Sequence, residues 1–242
     1  MTSYQLRISS DPEDLARQTA ELMASTIDLA LAERDRAQIA LAGGGTPRAS
    51  YGRLGMEHLP WERVDVLLGD ERWVSPDDPA SNALLLKDSL LADGPGKQAC
   101  FHPVPTHMPT PEAGAEAYEA LLLQLCGGAP PVLDLVLLGL GDDGHTASLF
   151  PGTQAPLVAD RWVTTGEGKG LPRITLTAPA LSAARTVIFL VSGSGKRLAL
   201  ERLLDPHESV ERTPARLVRP NRDVVILADP AAAAGLPERV IA

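Results

Sequence analysis

Aromatic residues make up only 4% of this 242-residue chain, and there are two cysteines. Basic residues are also in the minority: Lys+Arg 22 against Asp+Glu 31 gives a formal net charge of −9. Each shortage removes a class of protein. An acidic chain poor in aromatics lacks the phosphate-neutralising faces and stacking platforms that nucleic-acid binding needs. Cys100 and Cys126 are too few for a disulfide framework and suit a reducing compartment. No apolar run approaches the roughly 20 residues of a membrane-spanning helix. Met1-Thr2-Ser3-Tyr4-Gln5 has neither the basic nor the apolar region of a secretory leader, so a cytoplasmic location is expected.

What is present is ordinary globular material, 44% hydrophobic and 22% charged, enough to bury a core. Short apolar runs alternate with stretches of helical period, the pattern of parallel βαβ units. Strands are expected at residues 39–42, 64–68, 133–138, 186–191 and 224–227, with a smaller strand-rich region around 162–176. Helices are expected at about 12–33, from Thr46-Pro47, at 81–91, at 112–125 and from Lys196 to about Leu204. There is no internal repeat, and the proline-rich stretch 103–111 reads as a loop. One domain spanning 1–242 is expected.

Glycine-bearing, polar segments come directly after four of the strands. They are Gly43-Gly44-Gly45-Thr46-Pro47, Gly69-Asp70-Glu71-Arg72-Trp73, Gly139-Leu140-Gly141-Asp142-Asp143-Gly144-His145-Thr146 and Ser192-Gly193-Ser194-Gly195-Lys196. The C-terminal ends of parallel strands share one sheet edge, so these segments should converge on a small-molecule cleft. Gly44, Gly45 and Thr46 suit a phosphate, through close backbone approach and a hydroxyl. Asp70 can accept a hydroxyl hydrogen bond and Arg72 can pair with a phosphate. Taken alone, however, Asp70-Glu71-Arg72 reads better as a self-neutralised surface turn. Lys196 at a helix opening opposes the helix dipole unless an anion arrives. Neither glycine-rich loop is a Walker loop, and Ser192 stands where a nucleophile elbow needs glycine.

Residues 139–144 contain a literal Gly-x-Gly-x-x-Gly. Two aspartates inside it would repel a pyrophosphate, and Phe150-Pro151 cuts short the helix after it, so no nucleotide cofactor is expected. Metal ligation by Asp142, Asp143 and His145 lacks a second histidine in the motif, and no metal is expected. A turn-capping structural role is open to His145 too. The reading that uses the pattern best makes His145 an acid/base group supported by an aspartate two residues upstream. Spacing leaves open which of Asp142 and Asp143 faces it. His58, His102, His107 and His207 have no partner motif and are expected to be solvated.

Together these segments resemble the glucosamine-6-phosphate isomerase/6-phosphogluconolactonase family, on its lactonase side. Leu138 to Gly152 is the most specific block, joined by Gly43–Pro47, Gly69–Val74 with Ser81-Asn82, Pro172-Arg173-Ile174-Thr175-Leu176-Thr177 and Gly195-Lys196. The resemblance implies a three-layer α/β/α fold with a mainly parallel sheet and hydrolysis of 6-phospho-D-glucono-1,5-lactone without cofactor or metal. It implies a catalytic His145 assisted by Asp143. It further implies phosphate contacts by Arg72, Lys196 and the backbone of Gly44, Gly45 and Thr46. Asp70 and Arg173 are added as substrate-binding candidates from their chemistry, and a monomer acting on a small phosphorylated lactone is expected. Two features depart from the family pattern: the first loop has glycine where serine is common, and Lys169-Gly170-Leu171-Pro172 replaces a Lys-Pro-Pro stretch. Lys169 is therefore given no role. The alternatives are a sugar-phosphate isomerase or deaminase, and a non-catalytic sensor. The first is disfavoured because Thr146-Ala147-Ser148-Leu149-Phe150-Pro151 lacks the acidic residue of the deaminase pattern and Arg72 replaces its tyrosine. Retention of both Asp143 and His145 argues against the second.

Overall fold

The computed structural model describes residues 3–236; Met1, Thr2 and the last six positions of the expected 1–242 domain lie outside the described residues. The first half contains β1 (Tyr4–Ile8), α1 (Pro12–Glu33), β2 (Ala37–Leu41), α2 (Arg48–Leu54), β3 (Val64–Leu68) and β4 (Asp70–Arg72). α3 (Asn82–Lys87), β5 (Cys100–Phe101), α4 (Pro111–Cys126) and β6 (Leu135–Gly139) come next along the chain. The remainder adds β7 (Val163–Gly168), β8 (Leu171–Leu176), α5 (Ala178–Ser182), β9 (Thr186–Val191), α6 (Arg197–Leu204), β10 (Val224–Ala228) and α7 (Pro230–Ala233).

Seven strands form a parallel sheet in the order β1-β10-β9-β6-β2-β3-β5, the middle layer of a three-layer α/β/α fold. β2, β3 and β10 are buried along their whole length. That is why they read as mostly apolar runs: helices cover both faces of a parallel sheet, and the polar side chains they do carry, Gln38 and Asp65, are buried and bonded to each other. α1 starts as its sequence signals dictate. Asp11 caps it by accepting from Asp14 N–H, Pro12 occupies the first turn, and Met23, Ile27 and Ala30 turn inward.

A second, antiparallel sheet, β4-β8-β7, stands at the C-terminal edge of the first. β3 feeds it through Gly69, whose carbonyl accepts from Leu176 N–H at 2.9 Å. Segment 70–72 is thus a strand and not the surface turn that its three charges suggested. Asp70 and Glu71 are buried. α3 also ends earlier than its leucine pattern predicts, because the Ser89 hydroxyl takes the Leu85 carbonyl and the chain turns. β1 escaped the sequence reading because Gln5 and Arg7 face solvent at a sheet edge, leaving only a short alternation.

One histidine expectation needs correction. His102 is not solvated; its Nε2 lies 2.8 Å from Oδ1 of the buried Asp65. Arg36 holds the same carboxylate with two 2.8 Å bonds, and Gln38 adds a third partner. Burial raises the Asp65 pKa, but these hydrogen bonds outweigh it and leave the group below its ordinary value. The cluster sits around the N-terminal half of β3, away from the C-terminal strand ends. Among the described residues no helix is long and apolar enough to cross a membrane.

Candidate active site

A cleft of about 270 Å³ opens where β2, β3, β6 and β9 end. Gly43 to Pro47, Asp70, Arg72, Asn82, His145, Phe150, Lys169, Arg173, Ser192 and Lys196 all contribute to its walls. The four glycine-bearing segments therefore do meet, at the edge where parallel strands point their carbonyl ends. Of the expected site residues, Gly44, Gly45, Thr46, Asp70, Arg72, Arg173, Lys196 and His145 line the cleft. Asp143 stands behind His145.

The loop after β6 is braced by its own backbone. Gly141 N–H donates to the His145 carbonyl at 2.8 Å, and the Thr146 hydroxyl donates to Gly139 O at 2.8 Å. Gly144 takes φ +88°, where any side chain would also press on Thr213 and Arg212. This folding aims Asp143 at the imidazole. Its Oδ1 contacts His145 Nδ1 and accepts from the His145 backbone N–H at 3.1 Å. Asp142 is exposed and makes no such contact. The supporting aspartate is Asp143.

Burial would raise the Asp143 pKa, yet the bonds from His145 hold it below the usual carboxylate value, so it is ionised at neutral pH. An acceptor at Nδ1 fixes the proton there and leaves Nε2 as the basic nitrogen. Burial is the largest influence on His145 and lowers its pKa; Asp143 raises it, Lys169 lowers it and Asp70 raises it, with a net fall below the ordinary 6.5. Phe150 packs on the imidazole with ring centroids 4.2 Å apart. A neutral, oriented base is what this arrangement supplies.

A different part of the cleft is built from glycine backbone and cationic side chains. Gly44 adopts φ +93°, and Gly44 and Gly45 are exposed with open space where a side chain would stand, whereas Gly43 packs against the Asn82 side chain. Beneath it Tyr51 Oη donates to Ala42 O at 2.7 Å, tying α2 to the end of β2. α2 begins at Arg48 with Pro47 as its N-cap and no side-chain capping bond, one residue past the expected Thr46-Pro47 start. Arg72 pairs in register with Arg173 on the neighbouring strand, and its Nη1 donates to Ala80 O. Arg173 is buried, donates to Gly168 O, and sits 5.7 Å above the Phe150 ring. Asp70 offsets this charge: its Oδ2 accepts from the Ser148 hydroxyl at 2.6 Å and lies 3.9 Å from Arg173 Nη1.

Glu71 was invisible in the sequence as a builder of this wall. Its buried carboxylate accepts from Asn82 N–H at 2.7 Å, Ala83 N–H and Arg72 N–H at 2.8 Å, and the Ser81 hydroxyl at 3.1 Å. Desolvation raises its pKa against these bonds. Glu71→Ala strands two buried N–H groups and a half-buried one, and is expected to destabilise the fold by about 3 kcal/mol, read by chemical denaturation. Ser192, also missed, is fixed by Asp229, which accepts from its hydroxyl at 2.6 Å and from Gly193 N–H. Among the described residues no three His, Cys, Asp or Glu side chains gather as a metal site.

Fold and cleft together define an α/β protein built to hold a small phosphorylated ligand against a single imidazole. Residues 10–227 match the family described as Glucosamine-6-phosphate isomerases/6-phosphogluconolactonase, and the chain belongs to that family. A 6-phosphogluconolactonase from Synechocystis sp. is 44% identical over 206 residues, covering 84% of this chain and 86% of the relative. One from Nostoc sp. is 41% identical over 236 residues, covering 96% and 98%. The solved 6-phosphogluconolactonase of Trypanosoma brucei superposes with a TM-score of 0.86 at 31% identity, covering 98% of this chain and all of that one (100%).

Proposed function

We propose that this chain hydrolyses 6-phospho-D-glucono-1,5-lactone to 6-phospho-D-gluconate, with His145 as the base. The observation that carries the mechanism is an imidazole held by Asp143 in a cleft whose walls also bring together Arg72, Lys169, Arg173, Lys196 and the Gly43–Gly45 backbone. A δ-lactone is already an activated ester, so it needs no covalent nucleophile. His145 Nε2 takes a proton from water as the water oxygen bonds to C1 and the carbonyl becomes an oxyanion. When the oxyanion collapses, the bond from C1 to the ring oxygen breaks and His145 returns the proton to that oxygen. The product acid then ionises to the solvent.

The phosphate is anchored by Arg72, Lys196 and the Gly44–Thr46 backbone, and Thr46 adds its hydroxyl. Binding energy gathered at this remote end holds C1 near His145. Asp70 accepts from a sugar hydroxyl, while Arg173 adds positive charge from the small sheet. Because the whole chain carries −9, this local cluster must reverse the field that an anionic substrate meets. The chain acts as a one-domain monomer in the cytoplasm, needs no cofactor, metal or nucleic acid, and keeps Cys100 and Cys126 as free thiols.

The test is lactone disappearance with spontaneous opening subtracted, run beside glucosamine 6-phosphate with ammonia detection. Ammonia release without lactone hydrolysis would replace this reading by the deaminase. Stabilisation by sugar phosphates without either reaction would replace it by a sensor.

The Asp143–His145 pair also sets a pH signature. His145 works deprotonated, so kcat rises with pH through its pKa, on the acid side of 6.5. Asp143 raises that pKa; Asp143→Asn removes the effect. The ascending limb should then move to lower pH while the plateau falls about tenfold, because the imidazole loses the acceptor that orients it. A pH–rate profile of the variant checks both signs.

A further inference from the structure

The β7–β8 hairpin turns in two residues, Lys169 and Gly170, both at positive φ (54° and 77°) between paired Gly168 and Leu171. Gly170 is at home there, but Lys169 is a rare side chain in the left-handed region. The turn is also welded to the catalytic loop. A side chain at Gly168 would collide with the Phe150 ring, Phe150 stacks on His145, and Arg173 donates to the Gly168 carbonyl at 3.1 Å. The hairpin tip, Phe150, Arg173 and the imidazole therefore form one packed piece. Lys169, exposed at its rim, lines the cleft. It also borders the shallower depression on the outer side of Asp143. Its charge reaches the His145 ring through space.

We propose that Lys169 is a further catalytic residue, whose ammonium contacts the oxyanion that develops at C1 of the lactone. This rests on the lactonase reading of the cleft. The placement separates Lys169 from the proposed phosphate ligands: Arg72 lies on β4, Lys196 opens α6 and the glycines come after β2, whereas Lys169 hangs from the element packed on His145. A base that takes a proton from water leaves negative charge on the carbonyl oxygen, and a cation beside the base is where that charge is answered. Its long stem lets the ammonium reach the reacting end from the exposed turn. The same charge disfavours protonation of His145, alongside Asp143 from its own loop and Asp70 from β4, which oppose that effect.

The experiment compares wild type, Lys169→Met and Lys169→Arg in lactone hydrolysis. Affinities are measured for 6-phosphogluconate, which carries a C1 carboxylate, and for sorbitol 6-phosphate, which carries the phosphate but no charge at C1. Lys169→Met should lose about 10²-fold in kcat, with its ascending pH limb moved to higher pH and Lys169→Arg recovering part of the rate. It should bind 6-phosphogluconate about tenfold more weakly, a loss of about 1.4 kcal/mol, and sorbitol 6-phosphate as wild type does. Wild-type turnover from Lys169→Met overturns the proposal, and so does an equal loss of affinity for both ligands, which would place Lys169 at the phosphate. If the wild-type protein itself leaves the lactone at its spontaneous rate, the lactonase reading fails first and this proposal with it.

Discussion

Replacing His145 by alanine is expected to lower kcat for lactone hydrolysis by about 10³-fold, within the range that a positioned acid/base group contributes. Three features set so large a loss. The imidazole is largely buried, with 16% of its side chain exposed, so bulk water does not substitute freely as a proton acceptor. It takes the proton and gives it back, so both bond-making and bond-breaking lose their partner. Among the described residues no other histidine lines the cleft, and the nearby carboxylate Asp70 is already engaged by the Ser148 hydroxyl. Affinity for sorbitol 6-phosphate should stay within about twofold, because the proposed phosphate ligands belong to other elements and separate sites act nearly additively. A rate loss of less than tenfold would remove His145 from the proton path.

Much of this site is legible in the sequence, and for a physical reason. Parallel strands covered on both faces are mostly apolar, while the segment after each is free to be polar and glycine-rich. The runs expected to end at Ala42, Leu68, Leu138 and Val191 therefore marked the strand ends to within one residue, and four loops fell onto one edge. Three things stayed hidden, all dependent on contacts across the chain. Asp70-Glu71-Arg72 has the composition of a surface turn. Only the pairing of Asp70 with Thr175 and of Arg72 with Arg173 makes it a strand, and only the turn of 81–83 toward Glu71 buries that carboxylate. Lys169 offered a signal in Gly168-Lys169-Gly170 that a hairpin reading would have caught, since two positive-φ residues between strands make a tight turn. That the tip faces His145 depends on Phe150, a contact no spacing rule announces. His102 was missed likewise, because its partner Asp65 is 37 residues away.

Gly141→Ala should be nearly as damaging to catalysis as losing the imidazole, though it touches no proposed ligand of the phosphate. A methyl group at Gly141 would overlap His145 Nδ1 and Cε1 and stand 2.5 Å from Asp143 Oδ1. The backbone there does not require glycine for its own sake, since its φ is not in the left-handed region as those of Gly144 and Gly44 are. What requires glycine is the space taken by the dyad. The loop cannot step aside cheaply, because Gly141 N–H is bonded to His145 O and Gly144 N–H to Gly141 O, at 2.8 and 3.0 Å. The added methyl therefore moves side chains: the imidazole tilts, its contact with Asp143 breaks, and the tautomer that exposes a basic Nε2 is no longer enforced. Misplacing a catalytic group by about 1 Å costs about 10²-fold, and lost orientation adds to it, so kcat should fall between about 10² and 10³-fold. Stability should change by less than about 2 kcal/mol, since the displaced groups sit at a solvent-facing cleft and not in the core. A near-wild-type rate from this variant would show that Asp143 and His145 need not touch for the lactone to open.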